Sequence, residues 1–367
     1  MHRFVWLSLL LVTLRLEAVA GEQDPGPPPL TAPPTHSESL EGRKPPIRVT
    51  GAPYRVFSHP GAVLSVAFRP DGRVVAAGDA NGRVWLWPVA GTSGYQSISA
   101  HRKGVTAIAF SPSGTEMATG GKDGLVRVWN LETMEAEAWL DKRHRDTVTD
   151  VAFLAGGTLI ASASADDSVW VRNVITGRRH VAYFGHSAAV TGIAVAPEAL
   201  CVISGGRDES LQSWSLETGE QVDFSTQKGK VTALALTRDG RILASATADG
   251  VIEIRRTDGC GVHTVALRFG SSHRTVRAMV FSSDGRWLYS GGDDHQVAVW
   301  DLETGFQVER IVGHEGPVTS LALSAADHWL ASGSQDRTVR LWKRTDEVPV
   351  DTKRVSSSLR AVDEVPQ

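Results

Sequence analysis

A histidine, a hydroxyl and a carboxylate can form a nucleophile–base–acid chain, and the sequence offers such a set at His101, Thr119 and Asp123. In that chemistry the imidazole takes the hydroxyl proton while the carboxylate holds the imidazole tautomer. The set, however, does not occur once. Asp stands six residues before Trp at Asp123/Trp129, Asp208/Trp214, Asp294/Trp300 and Asp336/Trp342; Asp166 and Asp249 hold the same place where Arg172 and Arg255 replace Trp. Ser or Thr lies four residues before each Asp, at Thr119, Ser162, Ser204, Ser245, Ser290 and Ser332. His comes earlier still, at His59, His101, His144, His186, His273 and His314. A catalytic site appears once, whereas this arrangement repeats with near-identical spacing. It is therefore read as structural: carboxylate, imidazole, hydroxyl and indole N–H close one hydrogen-bond chain and satisfy each other when buried.

The elements that position these groups repeat as well. Apolar strands open at Val63, Val105, Val148, Val190, Val231, Val276 and Val318, with spacings of 41 to 45 residues. In the second unit, Val105, Ala107 and Ala109 alternate with other residues at the period of a pleated strand. Ser111-Pro112-Ser113-Gly114 follows as a turn, since Pro presets one φ and Gly accepts a positive one. Two further strands surround Lys122-Asp123-Gly124, and a fourth, outer strand is expected near Ala136 to Leu140. No stretch of the array has helical periodicity. One such sheet cannot bury both faces alone, so neighbours must stack, and a period near 42 residues built of short strands predicts a radial array of four-stranded sheets.

The order Gly313-His314, then Asp336 in the second hairpin, then Trp342 at the end resembles the WD-repeat β-propeller family. Trp300-Asp301 carries the eponymous dipeptide; other units end in Trp87-Pro88, Trp129-Asn130, Trp214-Ser215 and Trp342-Lys343. The resemblance covers residues 50 to 343 in seven copies. It implies an all-β, seven-bladed propeller of four-stranded antiparallel blades. It further implies that Tyr54 to Phe57 (YRVF) closes the last blade, as its place before His59 also suggests. Departures are instructive. The first unit has Ala77 and Asn81 at the hydroxyl and Asp positions, the third lacks its Trp, and the fifth has Gln227 and Arg255 at the His and Trp positions. Weaker networks are expected in blades one and five.

Other chemistry finds little support. The twin carboxylates Asp166-Asp167 and Asp293-Asp294 each leave one spare acid once the structural position is filled, so no metal is expected. There is no phosphate-cradling Gly-rich loop, no His-Glu-x-x-His and no Gly-x-Ser-x-Gly elbow, and no cofactor is implied. A composition of 41% hydrophobic and 22% charged residues suits a soluble domain, and the net charge of −3 gives no bias toward nucleic acid.

The N-terminus has a separate character. Met1-His2-Arg3, the apolar run Phe4 to Leu14 and Ala18-Val19-Ala20 have the layout of a cleaved secretory signal over residues 1–20, too short for a stable membrane span. Residues 21–48 are Pro-rich and polar and read as an extended, disordered linker; residues 49–344 hold the propeller, and residues 345–367 read as a disordered polar tail. Secreted or periplasmic localisation follows. The two cysteines, Cys201 and Cys260, are expected to be free buried thiols, since an inner strand and an outer turn look too distant to bridge.

Loops entering the first strands and the hairpins between second and third strands should share one face. They carry Arg102, Lys103, Lys122, Arg143, Arg145, Arg207, Lys228, Lys230 and Arg274. Acids outside the structural positions are fewer there: Asp79, Asp146, Asp167, Glu209, Asp293 and Glu315. The leading reading is a monomeric, non-enzymatic platform whose basic loops are expected to bind an acidic protein partner. A secreted hydrolase or lyase working at the channel mouth is the alternative, as is an intracellular assembly scaffold if residues 1–20 are not a signal.

Overall fold

The computed structural model describes residues 52–91, 94–136, 144–195, 201–258, 260–271 and 274–344. Within them the chain forms seven antiparallel sheets, six built of consecutive strands and the seventh closed by the first strand of the chain. The seven first strands, Val63–Phe68, Val105–Phe110, Val148–Leu154, Val190–Val195, Val231–Leu236, Val276–Phe281 and Val318–Leu323, each lie against the next. The seventh packs back on the first, so the strands form a closed ring. Six sheets have four strands. In the second, the third strand reaches Ala136 through a single bridge to Trp129; the rest of the expected outer strand lies outside the described residues.

The seventh sheet takes its outer strand from the start of the chain. Arg55–Ser58 pairs antiparallel with Thr338–Lys343, in a register running from Arg55 opposite Leu341 to Ser58 opposite Thr338. Phe57 packs inward with Leu341 and Val339. Far ends of the sequence thus share one sheet, and no edge is left open at the closure.

The seams between blades explain the residue choices. The second strands are built of small residues (VVAAGD, EMATGG, CVISGG, WLYSGG, WLASGS) and are almost wholly buried. A Cβ placed on Gly78 would lie 2.7 Å from Cγ1 of Val105 in the next blade; at Gly120, Gly205, Gly291 and Gly333 the distances to Val148, Val231, Val318 and Val63 are 2.5, 2.7, 2.6 and 2.7 Å. Ala163 and Ala246 take the glycine's place against Val190 and Val276. Each valine is a knob and each small residue its socket, and the last socket, Gly333, receives the first knob, Val63. Each of the seven apolar clusters accordingly spans two adjacent blades.

Polar ties follow the same seams. Thr106, Thr149, Thr191 and Thr319 donate to the carbonyls of Val148, Val190, Val231 and Val63, at 2.5, 2.8, 3.0 and 2.7 Å. Ser320 accepts the Val66 N–H at 2.9 Å, and Asp150 accepts that of Ile193 at 3.0 Å.

The hairpins between second and third strands need one residue in the left-handed region, directly after the Asp position. Gly82, Gly124 and Gly250 supply it cheaply, whereas Asp167, Glu209, His295 and Arg337 adopt φ of 63 to 67° there. The carbonyls of Gly82, Gly124, Glu209, Gly250 and Arg337 accept an N–H from the loop entering the next blade. This contact sets the loops side by side on one face. At Gly82 the approach is so close that a Cβ would meet the His101 carbonyl at 2.1 Å.

The cysteines overturn the expectation of free thiols. Cys201 and Cys260 form a disulfide with Cα atoms 5.4 Å apart, well within bridging range. The distance expected between an inner strand and an outer turn was wrong because the turn before Val262 leans across the seam onto blade four. Val262 N–H donates to Asp223 of that blade at 2.6 Å.

Candidate binding face and the networks beneath it

Each regular blade builds the same chain from its second and third strands, the hairpin between them and the loop entering the first strand. In blade two the Trp129 indole donates to Thr119 at 3.0 Å; Thr119 lies 2.9 Å from His101 Nε2, and His101 Nδ1 lies 2.8 Å from Asp123. Blade four repeats it with Trp214, Ser204, His186 and Asp208 at 2.9, 2.7 and 2.9 Å. Blade seven does so with Trp342, Ser332, His314 and Asp336 at 2.9, 2.7 and 2.7 Å. In blade six Trp300 donates to Ser290 at 2.8 Å, and Asp294 accepts the Gln296 N–H; His273 lies outside the described residues. Blade three keeps His144, Ser162 and Asp166 but replaces the indole by Arg172, whose guanidinium lies over the Trp170 ring.

The direction of these bonds is set by satisfaction. The hydroxyl accepts from the indole and so donates to His Nε2, leaving Nδ1–H to donate to the carboxylate. The carboxylate also accepts the next backbone N–H, from Arg102, Arg145, Ser187 or Glu315. Burial pushes the Asp123 and Asp336 carboxyls up, but His101 and His314, together with the hydrogen bonds from Thr338 and from the backbone N–H groups of Arg102, Leu125 and Glu315, outweigh it and hold both well below the usual range. Burial lowers His144 and His186, against the raising influence of Asp166 and Asp208, so these rings stay neutral. The hydroxyls of Thr119, Ser204, Ser290 and Ser332 are fully buried. They have no path to a substrate, so these sets are fasteners.

The sequence also concealed partners. Ser168, Ser210 and Thr338 donate to the structural Asp two residues earlier, at 2.5, 2.8 and 2.6 Å. That recurring hydroxyl was readable as a fixed offset. Asp79 was counted among the loop acids, yet it is fully buried and accepts from Asn81 N, Arg83 N and the Trp85 indole at 2.9, 3.0 and 2.9 Å. In blade one the carboxylate has moved two residues back, and the Trp85 indole follows it.

That shift leaves His59 without a partner at either nitrogen, edge-on to Trp85 and Trp87. Burial lowers its pKa to about 4, against the opposing pull of Asp79. Blade five departs further. Gln227 donates to Ser245, and the buried Glu253 carboxylate pairs with Arg255 at 2.7 Å and with Arg268.

Above the networks lies a different tier. Arg102, Lys103, Lys122, Arg145, Arg207, Lys228, Lys230 and Arg274 are all exposed, and their side chains make no ion pair among the described residues. Arg143 lies outside them. The structural carboxylates sit lower, with Asp123, Asp166, Asp208 and Asp336 side chains only 7–9% exposed. Asp293 is paired with Arg277. Asp146, Asp167, Glu209, Glu315 and the exposed Asp249 of blade five, which accepts from Thr247, remain as acids of the face.

Two outcomes follow. Asp336→Ala should destabilise the fold by about 2–3 kcal/mol in urea melts, because His314 and the Glu315 N–H lose their acceptor while the Trp342 indole keeps Ser332. Asn81→Ala should cost clearly less, since the blade-one carboxylate is Asp79; equal losses would overturn the network account. The second outcome concerns pH. A histidine whose folded pKa lies below its unfolded value contributes a loss of stability as pH falls from about 6.5 toward 4, because the unfolded chain takes the proton first. His59 should account for about 3 kcal/mol of that loss, and His59→Gln should flatten this part of the stability–pH curve.

Comparison with known proteins agrees with this geometry. The family described as WD domain, G-beta repeat matches residues 51–88, 93–130, 140–173, 178–215, 220–254, 264–301 and 305–343. A WD repeat-containing protein, SL1-17, from Schistosoma mansoni is 33% identical over 35% of this chain and 42% of its own. Eukaryotic translation initiation factor 3 subunit I from Aspergillus terreus is 27% identical over 40% of this chain and 46% of its own. Small ribosomal subunit protein RACK1 from Schizosaccharomyces pombe is 26% identical over 33% and 40%. The chain thus spans less than half the length of these relatives. Seven matched repeats, one per blade, mean that the chain belongs to the WD-repeat family.

Proposed function

We propose that this chain is a non-enzymatic protein-interaction platform whose loop face docks an acidic partner. The observation that carries the reading is the layering of charge. Exposed cations crown blades two to six, while the carboxylates that would neutralise them are drawn down into the hydrogen-bond networks. A closed ring holds these loops with little conformational freedom to lose on binding, which favours recognition over chemistry. The matched relatives point the same way, since two of them are named as subunits of larger assemblies.

The platform works outside the cytoplasm in this reading. Residues 1–20 have the sequence layout of a signal and residues 21–48 the composition of a spacer, both outside the described residues, and an inter-blade disulfide suits an oxidising compartment. Cleavage after Ala20 should leave a chain beginning at Gly21, which mass spectrometry of the secreted or periplasmic protein reads directly. An intact Met1 chain in the soluble cytosol would instead favour an intracellular assembly scaffold.

The face is tested by charge reversal. Exposed ion pairs are individually weak and screened within about 8–10 Å at physiological salt, so no single residue should dominate. Arg102→Glu, Lys122→Glu and Arg207→Glu together should lower affinity for a partner captured by the wild type about tenfold or more, chiefly through slower association. The melting temperature should hardly move. Unchanged affinity would place the site on the opposite face or on the blade flanks.

A further inference from the structure

Blade five lacks the fastener that regular blades use, and it is the longest unit, with 45 residues from Val231 to Val276. The turn carrying Asp258, Cys260 and Gly261 lies in that longer unit. Here the chain leaves its third strand, Val251–Thr257, and enters the outer strand, Val262–Gly270. The pairing of those two strands is irregular at this end, with register shifts at Arg255 and before Thr257. Within blade five it is held by Gly261 N–H to Asp258 at 2.7 Å and by the exposed His263–Asp258 pair, and from blade four by Val262 N–H to Asp223, Arg255 to Ser225 at 3.0 Å and the bond from Cys260 to Cys201. Cys201 opens the second strand of blade four and is 2% exposed. The far end of the outer strand is better seated, with Phe269 stacked on Trp300 at 4.5 Å.

We infer that the Cys201–Cys260 bond is a redox-sensitive latch on the blade four–blade five seam, at the opposite end of the strands from the position where regular blades carry the His–Asp fastener. Reduction by a dithiol opens the turn and the adjoining half of the outer strand to Val265, while the rest of the ring stays closed. The chemistry balances. A thiolate of the reductant attacks one sulfur and releases the other as a thiolate that takes a proton. The second thiol of the reductant then resolves the mixed disulfide; two electrons and two protons pass to the protein, and the reductant becomes the disulfide. Opening as far as Val265 takes away the strand partner of Arg255 and the His263 carbonyl that its guanidinium meets, leaving the buried Glu253–Arg255 pair less shielded from water, which favours the opened state further. The valine knobs and their sockets lie nearer the axis and are untouched, so the opening is local.

Hydrogen exchange read by mass spectrometry on the folded full chain, before and after reduction with dithiothreitol, tests this. Amides from Val262 to Val265 should exchange about tenfold faster or more after reduction, with those of Val105–Phe110 and Val318–Leu323 unchanged. Cys260→Ser should match the reduced wild type without reductant; if that variant does not fold, reduction of the prefolded wild type still gives the reading. Unchanged exchange at Val262–Val265 would overturn the latch. So would a uniform acceleration in all blades, or two titratable thiols in protein prepared under oxidising conditions.

Discussion

The fold depends on one contact made seven times: the first valine of each inner strand pressed into the smallest residue of the preceding blade. Five glycines and two alanines provide the sockets, because a larger side chain would occupy the space that the valine methyl fills. The socket residue can be small only if another blade supplies the missing volume, so no blade has a complete core by itself. Stability therefore belongs to pairs of neighbours, and the ring must close. Gly333 receiving Val63 is the contact that joins the two ends of the array.

Around this axis the polar networks perform a second task. The loop entering each blade and the hairpin beside it carry backbone groups that need partners, and an ionised Asp beside the His supplies acceptors to both. The hydroxyl and the indole complete the chain downward into the apolar seam. Because each member satisfies the next, a single replacement forces further change. Ala77 in blade one is accompanied by a displaced carboxylate and an unpaired His59, and Arg255 in blade five by the ion cluster on Glu253.

This division of labour has a consequence for recognition. Carboxylates engaged in fastening lie beneath the surface and face inward, while lysines and arginines at the loop tips have no internal role. A chain of slightly negative net charge can thereby present a cationic crown. The crown is held rigidly because the hairpin carbonyls and the next loop are hydrogen-bonded around the ring.

Strand order, blade count and the fastening residues were legible in the sequence because they are periodic: seven equivalent positions carry the same constraint, so the pattern emerges from repetition. Thr119 with His101 and Asp123 announced a network by recurring at Ser332, His314 and Asp336. The irregular positions did not yield to that logic. Asp79 read as a loop acid because its offset differs by two residues from the repeat, and only the packed blade shows the indole it accepts. Cys201 and Cys260 read as distant because each was placed within its own blade, whereas their 5.4 Å separation is set by a turn leaning over a seam. Periodicity records what every blade must do alike; contacts between unlike parts of neighbouring blades exist only once the ring has closed.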